Sequence, residues 1–185
     1  MTIFPQIHTE RLVLGPLVFS DVPNIVAYAG QREVADTTLN IPHPYREEDA
    51  IFWINSAHQG VKQKSQYTFA IRLQATGEFV GGMGLHVQPA FDRAELGYWV
   101  GVPFWNRGYA TEAAAGLLQF GFEQLGLHKI FATYLRSNPA SGKVMRKNGM
   151  VEEGVLVDHT KKNGSYHTLI QCRLTKTEYE RFRKS

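Results

Sequence analysis

A strand-like run that passes through a glycine-bearing turn into a helix constrains this sequence more than any other feature. Residues Ala94 to Val102 alternate apolar side chains with Glu, Gly and Trp, which predicts a strand with two different faces. The turn is Trp105–Ala113, and small and apolar residues then recur at helical spacing from Ala110 to Leu125. A second strand follows at Lys129 to Leu135. A strand, helix and strand of these lengths favour a parallel pair joined by a right-handed crossover.

The same patterns predict elements on both sides of this unit. Pro42 and Pro44 favour a loop over residues 34–45, and the chain shows no internal repeat, so we expect one domain over residues 1–185. The other predicted strands are Arg11 to Leu14, Tyr67 to Leu73, Phe79 to Val87, Val151 to Val157 and Thr168 to Leu174. The other predicted helices begin near Ser20, near Arg46, at Asn138-Pro139 and near the C-terminus. These elements alternate as in a mixed α/β (α+β) protein.

Composition excludes several classes of protein. With 43% apolar residues in 185, the chain is able to bury a core, and its net charge of +3 is too small and too scattered for a nucleic-acid binder. No apolar run approaches the roughly 20 residues of a membrane span, and the first residues lack a signal-peptide pattern. We therefore expect a cytoplasmic protein with no membrane partner. The single cysteine, Cys172, lies in an apolar run, excludes a cysteine-rich metal site and is expected to be a buried strand residue. We expect no metal.

The turn at residues 105–113 has the features of an anion site. Gly108 places no Cβ near a ligand and Asn106 tolerates positive φ, while no capping box occupies the N–H groups that begin the helix. Such N–H groups and the helix dipole bind phosphates, and Arg107 adds charge. The P-loop and dinucleotide patterns are absent: Gly142-Lys143 is followed by Val144, and Gly82-Met83-Gly84 continues inside a strand. On these residues alone, an ordinary helix entry that binds nothing is equally compatible.

The sequence of this turn resembles the pyrophosphate-binding motif of the GNAT superfamily of N-acetyltransferases, Q/R-x-x-G-x-G/A. The extension Ala110–Ala113 is similar to the RimJ/RimL-type branch, whose members acetylate N-terminal amines of ribosomal proteins. Three further segments resemble that branch: Thr9–Leu14, Glu95–Val100, and Asn138–Ser141 followed by Lys147–Met150. Two positions depart from the motif, because Trp105 replaces Gln or Arg and Asn106 stands where glycine is frequent. Neither change removes a backbone donor.

The resemblance implies a fold and a donor site. The fold is a mixed, mostly antiparallel sheet that is splayed open between two parallel strands and flanked by helices. Acetyl-CoA would lie in the split, with backbone groups near Val100 and Val102 on the pantetheine and the acetyl carbonyl. Asn138 would contact the pantetheine arm. The pyrophosphate would meet the amides of Asn106, Arg107, Gly108, Tyr109, Ala110 and Thr111.

Acetyl transfer to an amine requires a neutral amine and a proton for the departing thiolate. Glu95 is the first candidate base, and His86 on the neighbouring glycine-rich strand is the second. The alternative for Glu95 is that it pairs with an arginine or faces water, so both roles stay open at this point. Ser141 matches the serine of the branch and would protonate the thiolate, with Tyr134 as a fallback; a helix first-turn hydroxyl is the alternative for Ser141.

The basic residues Lys143, Arg146 and Lys147 have two interpretations. Lys143 is our candidate for the 3′-phosphate of CoA, and the group also fits a helix C-terminus that complements the dipole. The implied reaction is direct transfer from acetyl-CoA, in a ternary complex, to a protein N-terminus or a small amine. A non-catalytic acyl-CoA sensor or assembly module is the alternative. The acceptor is not specified by these residues, and a monomer and a homodimer are both open.

Overall fold

The structure is a computed structural model and describes residues 4–184. The strands are β1 Ile7–His8, β2 Leu12–Gly15, β3 Gln66–Leu73, β4 Phe79–Gln88, β5 Arg93–Val100, β6 Lys129–Leu135, β7 Val151–Lys162 and β8 Ser165–Thr175. The helices are α1 Val22–Ala29, α2 Arg32–Thr37, α3 Glu47–Gln63, α4 Tyr109–Gln119, α5 Pro139–Lys147 and α6 Lys176–Phe182. Short 3₁₀ turns precede α1 and β5 and follow β5, and a five-residue π-helical turn, Phe120–Gln124, extends α4.

One eight-stranded sheet of order β1-β2-β3-β4-β5-β6-β8-β7 runs through the molecule. Every neighbouring pair is antiparallel except β5 and β6, which are parallel and joined through α4. The predicted fold class, a mixed and mostly antiparallel sheet with one parallel pair and flanking helices, is confirmed.

The parallel pair separates soon after it begins. Only Arg93–Glu95 pair with Lys129–Phe131, although β5 continues to Val100 and β6 to Leu135. Beyond the paired residues, β6 remains bonded to β8 on its other side. The sheet is therefore split between residues 96–100 and residues 132–135.

The two faces of the sheet carry separate clusters of buried side chains. On one face, alternate residues of β5 such as Leu96 and Val100 pack with Leu117 of α4 and Met145 of α5. On the other face, Trp99 packs with residues of α1 and α3. Alternate side chains of β5 thus pack against different helices on the two faces of the sheet, and the two sides of the split are lined by different residues.

Helix α2 corrects the predicted loop over residues 34–45. The prolines that favour a loop lie beyond it, and Val34 and Ala35 are buried in the helix. The Thr37 hydroxyl donates to the Glu33 carbonyl at 2.8 Å and the Thr38 hydroxyl to the Val34 carbonyl at 2.9 Å. These hydroxyl groups satisfy main-chain carbonyls at the end of α2. Such bonds do not show in the spacing of apolar residues along the sequence.

Other element boundaries also differ from the predictions. Strand β5 ends at Val100, two residues early, because Val102–Phe104 form a 3₁₀ turn around Pro103. Strands β7 and β8 extend past the predicted ends to a tight turn in which Asn163 and Gly164 both have positive φ, 49° and 82°. That combination matches the twist of a hairpin and lets the pairing continue to the turn. In the part of the chain that the structure describes, no helix is long and apolar enough to cross a membrane.

Candidate active site

The turn between β5 and α4 presents a row of main-chain N–H groups to solvent. Gly108, at φ 81°, is the N-cap of α4, no side chain caps the helix, and Asn106 also has positive φ, 61°. Within residues 4–184, no protein acceptor bonds the N–H groups of residues 106–111. Asn106, Arg107 and Gly108 are exposed. The residues predicted to bind a pyrophosphate therefore lie together, and their N–H groups are donors that suit a diphosphate.

Two residues between β1 and β2, Thr9 and Arg11, hold this turn in place. The Glu112 carboxylate accepts hydrogen bonds from the Thr9 hydroxyl at 2.6 Å, from the Arg11 N–H at 2.7 Å and from Arg11 Nε at 2.7 Å. Arg11 Nη1 also donates to the Arg107 carbonyl at 3.0 Å, and its guanidinium stacks 4.8 Å from the Tyr109 ring centroid. The guanidinium thereby balances the negative charge of Glu112 beside an anion site, and these bonds attach the turn to the sheet.

The end of β5 directs backbone groups into the split. The Gly101 N–H bonds the Val80 carbonyl of β4 at 2.9 Å, so the Val100 N–H and carbonyl point toward β6. The Val100 carbonyl there accepts from Trp105 Nε1 at 2.7 Å, and the Val102 N–H donates to the Gln31 side-chain oxygen at 3.1 Å. The Val100 backbone therefore faces the split, and side chains bond one backbone group of Val100 and one of Val102.

Ser141 and Tyr98 meet across the split on the α4 face. The Tyr98 hydroxyl donates to Ser141 Oγ at 3.0 Å, and burial raises the pKa of Tyr98, which keeps the phenol neutral as a donor. Asn138 caps α5: its side-chain oxygen accepts the Ser141 N–H at 3.3 Å, while its amide nitrogen donates to the Thr37 carbonyl at 3.0 Å. The hydroxyl pair thus lies at the start of α5, with Ser141 only 9% exposed.

Glu95 lies on the opposite face of the split, in a pocket of about 370 Å³. Its carboxylate accepts a hydrogen bond from the Thr133 hydroxyl of β6 at 3.0 Å, and no arginine or lysine pairs with it among the described residues. The pocket is bordered by the loop after α2, through Leu39 and Asn40, and by His159 and Thr160 of β7. Glu95 is therefore a carboxylate in a pocket, and the arginine pair considered above is not formed.

The second candidates occupy less favourable positions. His86 lies directly opposite Glu95 in the β4–β5 register and is exposed, outside the residues that line the pocket. The Tyr134 hydroxyl donates to Glu152 at 3.2 Å, and burial together with that carboxylate raises the pKa of Tyr134. Tyr134 is thus committed to a structural bond, whereas Ser141 faces the split.

The basic residues of α5 separate into two groups. Arg146 pairs with Glu152 at 3.0 Å, whereas Lys143 and Lys147 are exposed and make no ion pair in the range 4–184. The Asn148 side chain donates to the Thr111 carbonyl at 3.2 Å, which holds the end of α5 against the first turn of α4. The two free lysines therefore belong to a helix that is bonded to the phosphate turn.

The glycines near the split do not all provide space for a ligand. A Cβ at Gly82 would lie 2.4 Å from the Trp53 ring, so an indole fills that position, whereas a Cβ at Gly97 would meet nothing within 4 Å. Cys172 is fully buried, as predicted. Among the described residues, no group of three or more His, Cys, Asp and Glu side chains is arranged to hold a metal.

Four residues of the site were not predicted from the sequence: Arg11, Gln31, Tyr98 and Thr133. Arg11 belongs to a motif already noted, but its partner Glu112 is 101 positions away. Tyr98 occupies an apolar position of β5, and only its hydroxyl distinguishes it from the core residues around it. Gln31 and Thr133 carry no local signal, because their partners are brought to them by the fold.

Comparison with known proteins identifies relatives over most of the chain. Residues 11–151 match the family model of the acetyltransferase (GNAT) domain. The chain is 30% identical over 164 residues to the uncharacterized N-acetyltransferase YoaA of Bacillus subtilis, a match that covers 88% of this chain and 92% of that protein. It is 25% identical over 185 residues to the [ribosomal protein uS5]-alanine N-acetyltransferase of Escherichia coli, covering 94% of this chain and 92% of that protein. The structure superposes on Mycobacterium smegmatis RimJ in complex with CoA-disulfide with a TM-score of 0.85 at 23% identity, covering 95% and 89% of the two chains.

Proposed function

Because this chain belongs to the GNAT acetyltransferase family, we propose that it transfers the acetyl group of acetyl-CoA to a primary amine, the α-amine of a protein N-terminus. The family membership identifies an N-acetyltransferase. The observation that carries the donor assignment is the row of unbonded N–H groups over residues 106–111, at the end of the strand that borders the split.

Acetyl-CoA fits this arrangement at both ends. The pyrophosphate would accept hydrogen bonds from the turn at residues 106–111, with the helix dipole of α4 and the exposed Arg107 adding favourable charge. The pantetheine arm would continue along β5, where the Val100 N–H faces the split. Lys143 is the candidate for the 3′-phosphate, because it is exposed, unpaired within residues 4–184 and on a helix bonded to the turn.

The acetyl group would lie between two different chemical environments. Ser141 and Tyr98 lie on the α4 face, while Glu95 and Thr133 lie on the other. An amine that enters the pocket beside Glu95 approaches the thioester from the carboxylate side. The Ser141 hydroxyl would donate a proton to the departing thiolate, and the neutral phenol of Tyr98 would stabilise the resulting Ser141 oxyanion through its hydrogen bond until a proton returns from solvent. The split thus separates the group that accepts a proton from the groups that supply one.

The acceptor class is inferred from how much of each kind of amine is already neutral at pH 7. An α-amine with a pKa of about 7.7–8.0 is neutral in roughly one molecule in seven at pH 7, whereas a lysine amine is neutral in about one in 2,500. A single carboxylate hydrogen-bonded to Thr133 suits the easier substrate, for which positioning carries most of the rate. The Escherichia coli relative, whose name specifies the alanine of ribosomal protein uS5, supports a protein N-terminus.

Release of free CoA thiol with a panel of acceptors tests this proposal. The panel contains short peptides with free N-termini, the same peptides with blocked N-termini and an internal lysine, and small diamines, each measured against acetyl-CoA hydrolysis alone. We expect release to be much faster with free N-termini than with internal lysines or diamines, and a mass increase of one acetyl group located at residue one. Release with diamines alone would replace the protein N-terminus by a small-molecule amine. No release with any amine would contradict catalysis by this site.

A further inference from the structure

One segment, residues 31–40, crosses the split and is fastened on both sides of it; we call it the strap. The strap contains α2 and the loop after it, and three polar contacts hold it. Gln31 Oε1 accepts from the Val102 N–H at 3.1 Å, and the Thr37 carbonyl accepts from Asn138 Nδ2 at 3.0 Å. Lys162 Nζ, near the tip of the β7–β8 hairpin, donates to the Ala35 carbonyl and to the Thr38 carbonyl.

Two of these three fastenings use groups of the proposed donor site. The Val102 N–H and the Asn138 carboxamide are the groups that acetyl-CoA would bond through its arm and its acetyl carbonyl. A single N–H makes one well-aligned hydrogen bond, so Gln31 and a carbonyl of the donor compete for Val102. The Lys162 fastening lies outside the donor site and is unaffected by that competition.

The strap also forms part of the acceptor pocket. Leu39 and Asn40, at its end, line the pocket that contains Glu95. Gln31, at its beginning, is half-buried against the end of β5. One short segment therefore contacts both the groups that would bind the donor and the walls that would contact the acceptor.

We propose that Gln31 is a positioning residue that holds the Val102 N–H until acetyl-CoA arrives. Donor binding takes this N–H from Gln31, releases the strap at that end, and leaves Leu39 and Asn40 free to adjust to the amine. Lys162 keeps the segment attached to the hairpin throughout. This inference rests on the proposed function.

The test replaces Gln31 by methionine, which keeps the length of the side chain and removes the acceptor. The α2 start is retained, because the Val34 and Ala35 N–H groups bond the Gln31 main-chain carbonyl. With the competing acceptor removed, calorimetry should give acetyl-CoA binding about five-fold tighter than wild type, the size expected for one intramolecular hydrogen bond. The gain should be specific to the donor and absent from the KM of the amine at saturating acetyl-CoA, since Gln31 is already released in that state. Gln63→Met, on the exposed last turn of α3, is the matched control and should leave the acetyl-CoA affinity as in wild type.

Hydrogen exchange supplies a second readout. Acetyl-CoA should accelerate exchange of the Val34 and Ala35 amides in the wild type, and Gln31→Met should show the faster exchange without ligand. Equal or weaker acetyl-CoA affinity in Gln31→Met, or a raised KM for the amine at saturating donor, would overturn the inference and leave the proposed function intact. A wild-type protein that binds no acetyl-CoA would overturn the proposed function and this inference together.

Discussion

The Glu112 carboxylate and Arg11 are joined by two hydrogen bonds of 2.7 Å, one from the Arg11 main chain and one from its guanidinium. The Glu112 side chain is 16% exposed, and the Thr9 hydroxyl donates to the same carboxylate. This contact connects the first strands of the sheet to the first turn of α4. The phosphate turn is therefore positioned by a part of the chain about one hundred residues earlier.

Glu112→Gln should destabilise the protein by about 1–3 kcal/mol, because three donors lose a charged acceptor. Burial alone would raise the pKa of Glu112, but the hydrogen bonds from Thr9 and Arg11 outweigh it and lower the pKa below its ordinary value of 4.5. A carboxyl whose pKa is lower in the folded state stabilises the fold above the unfolded pKa and loses that effect as the pH falls through the folded pKa. The stability difference between wild type and variant in urea should therefore shrink as the pH is lowered below about 4.5. Glu78→Gln, at an exposed turn residue, is the control, and a difference that stays constant with pH would contradict the ion pair.

Gly108→Ala should weaken acetyl-CoA binding by more than its effect on stability explains. Gly108 has φ 81°, and an added Cβ would lie 3.3 Å from Arg11 Nη2, so the guanidinium that anchors the turn must move by a few tenths of an ångström. Gly126→Ala is a matched control, since that glycine has φ 68° and nothing within 4 Å of an added Cβ. Each variant should lose about 1–2 kcal/mol of stability from the left-handed conformation. Only Gly108→Ala should lose affinity in calorimetry, and equal acetyl-CoA affinities for the two variants would count against the phosphate assignment.

The sequence was sufficient to predict the fold class and the central strand, turn and helix unit. The alternation of β5, the helical spacing of α4 and the glycine between them are local patterns, and local patterns are what a sequence displays directly. The hairpin turn at Asn163 and Gly164 was also predictable, because positive φ favours those residue types. Helix α2 was not predicted, because it has only six residues and ends in threonines whose hydroxyls bond main-chain carbonyls. Neither feature produces a helical spacing of apolar residues.

The part of the site that consists of main-chain groups could be predicted from the sequence. The contacts between side chains from distant parts of the chain could not. The turn at residues 106–111 needs only a glycine and a helix start. The Tyr98–Ser141 and Glu95–Thr133 bonds join residues 43 and 38 positions apart, and they depend on where the sheet splits. That split is set by how far β5 and β6 pair, which neither strand reveals alone.

Ser141→Ala should lower kcat by about 10²-fold or more while leaving acetyl-CoA affinity unchanged, because the hydroxyl would act only on the departing thiolate. Tyr98→Phe should lower kcat less, since Ser141 keeps its own proton. The double variant should be no slower than Ser141→Ala, because the phenol acts through Ser141. Ser165→Ala, in the exposed hairpin turn, is the control for steady-state kinetics. Additive losses in the double variant would show that the two hydroxyls act independently.

Glu95→Gln should discriminate between acceptors according to the pKa of their amines. At pH 7, loss of the carboxylate should reduce kcat/KM for a lysine-like amine by about 10²-fold or more, because such an amine must lose a proton in the site. The loss should be smaller for an α-amine, of which about one molecule in seven is already neutral. Raising the pH toward 10 should narrow the difference between wild type and variant for both acceptors, since the neutral α-amine then predominates and the neutral fraction of a lysine amine rises to roughly three in ten. His86→Asn, directly opposite Glu95 in the sheet, is the control and should leave the pH profile in place. An equal loss for both acceptors at every pH would assign Glu95 to binding the amine and remove it from proton transfer.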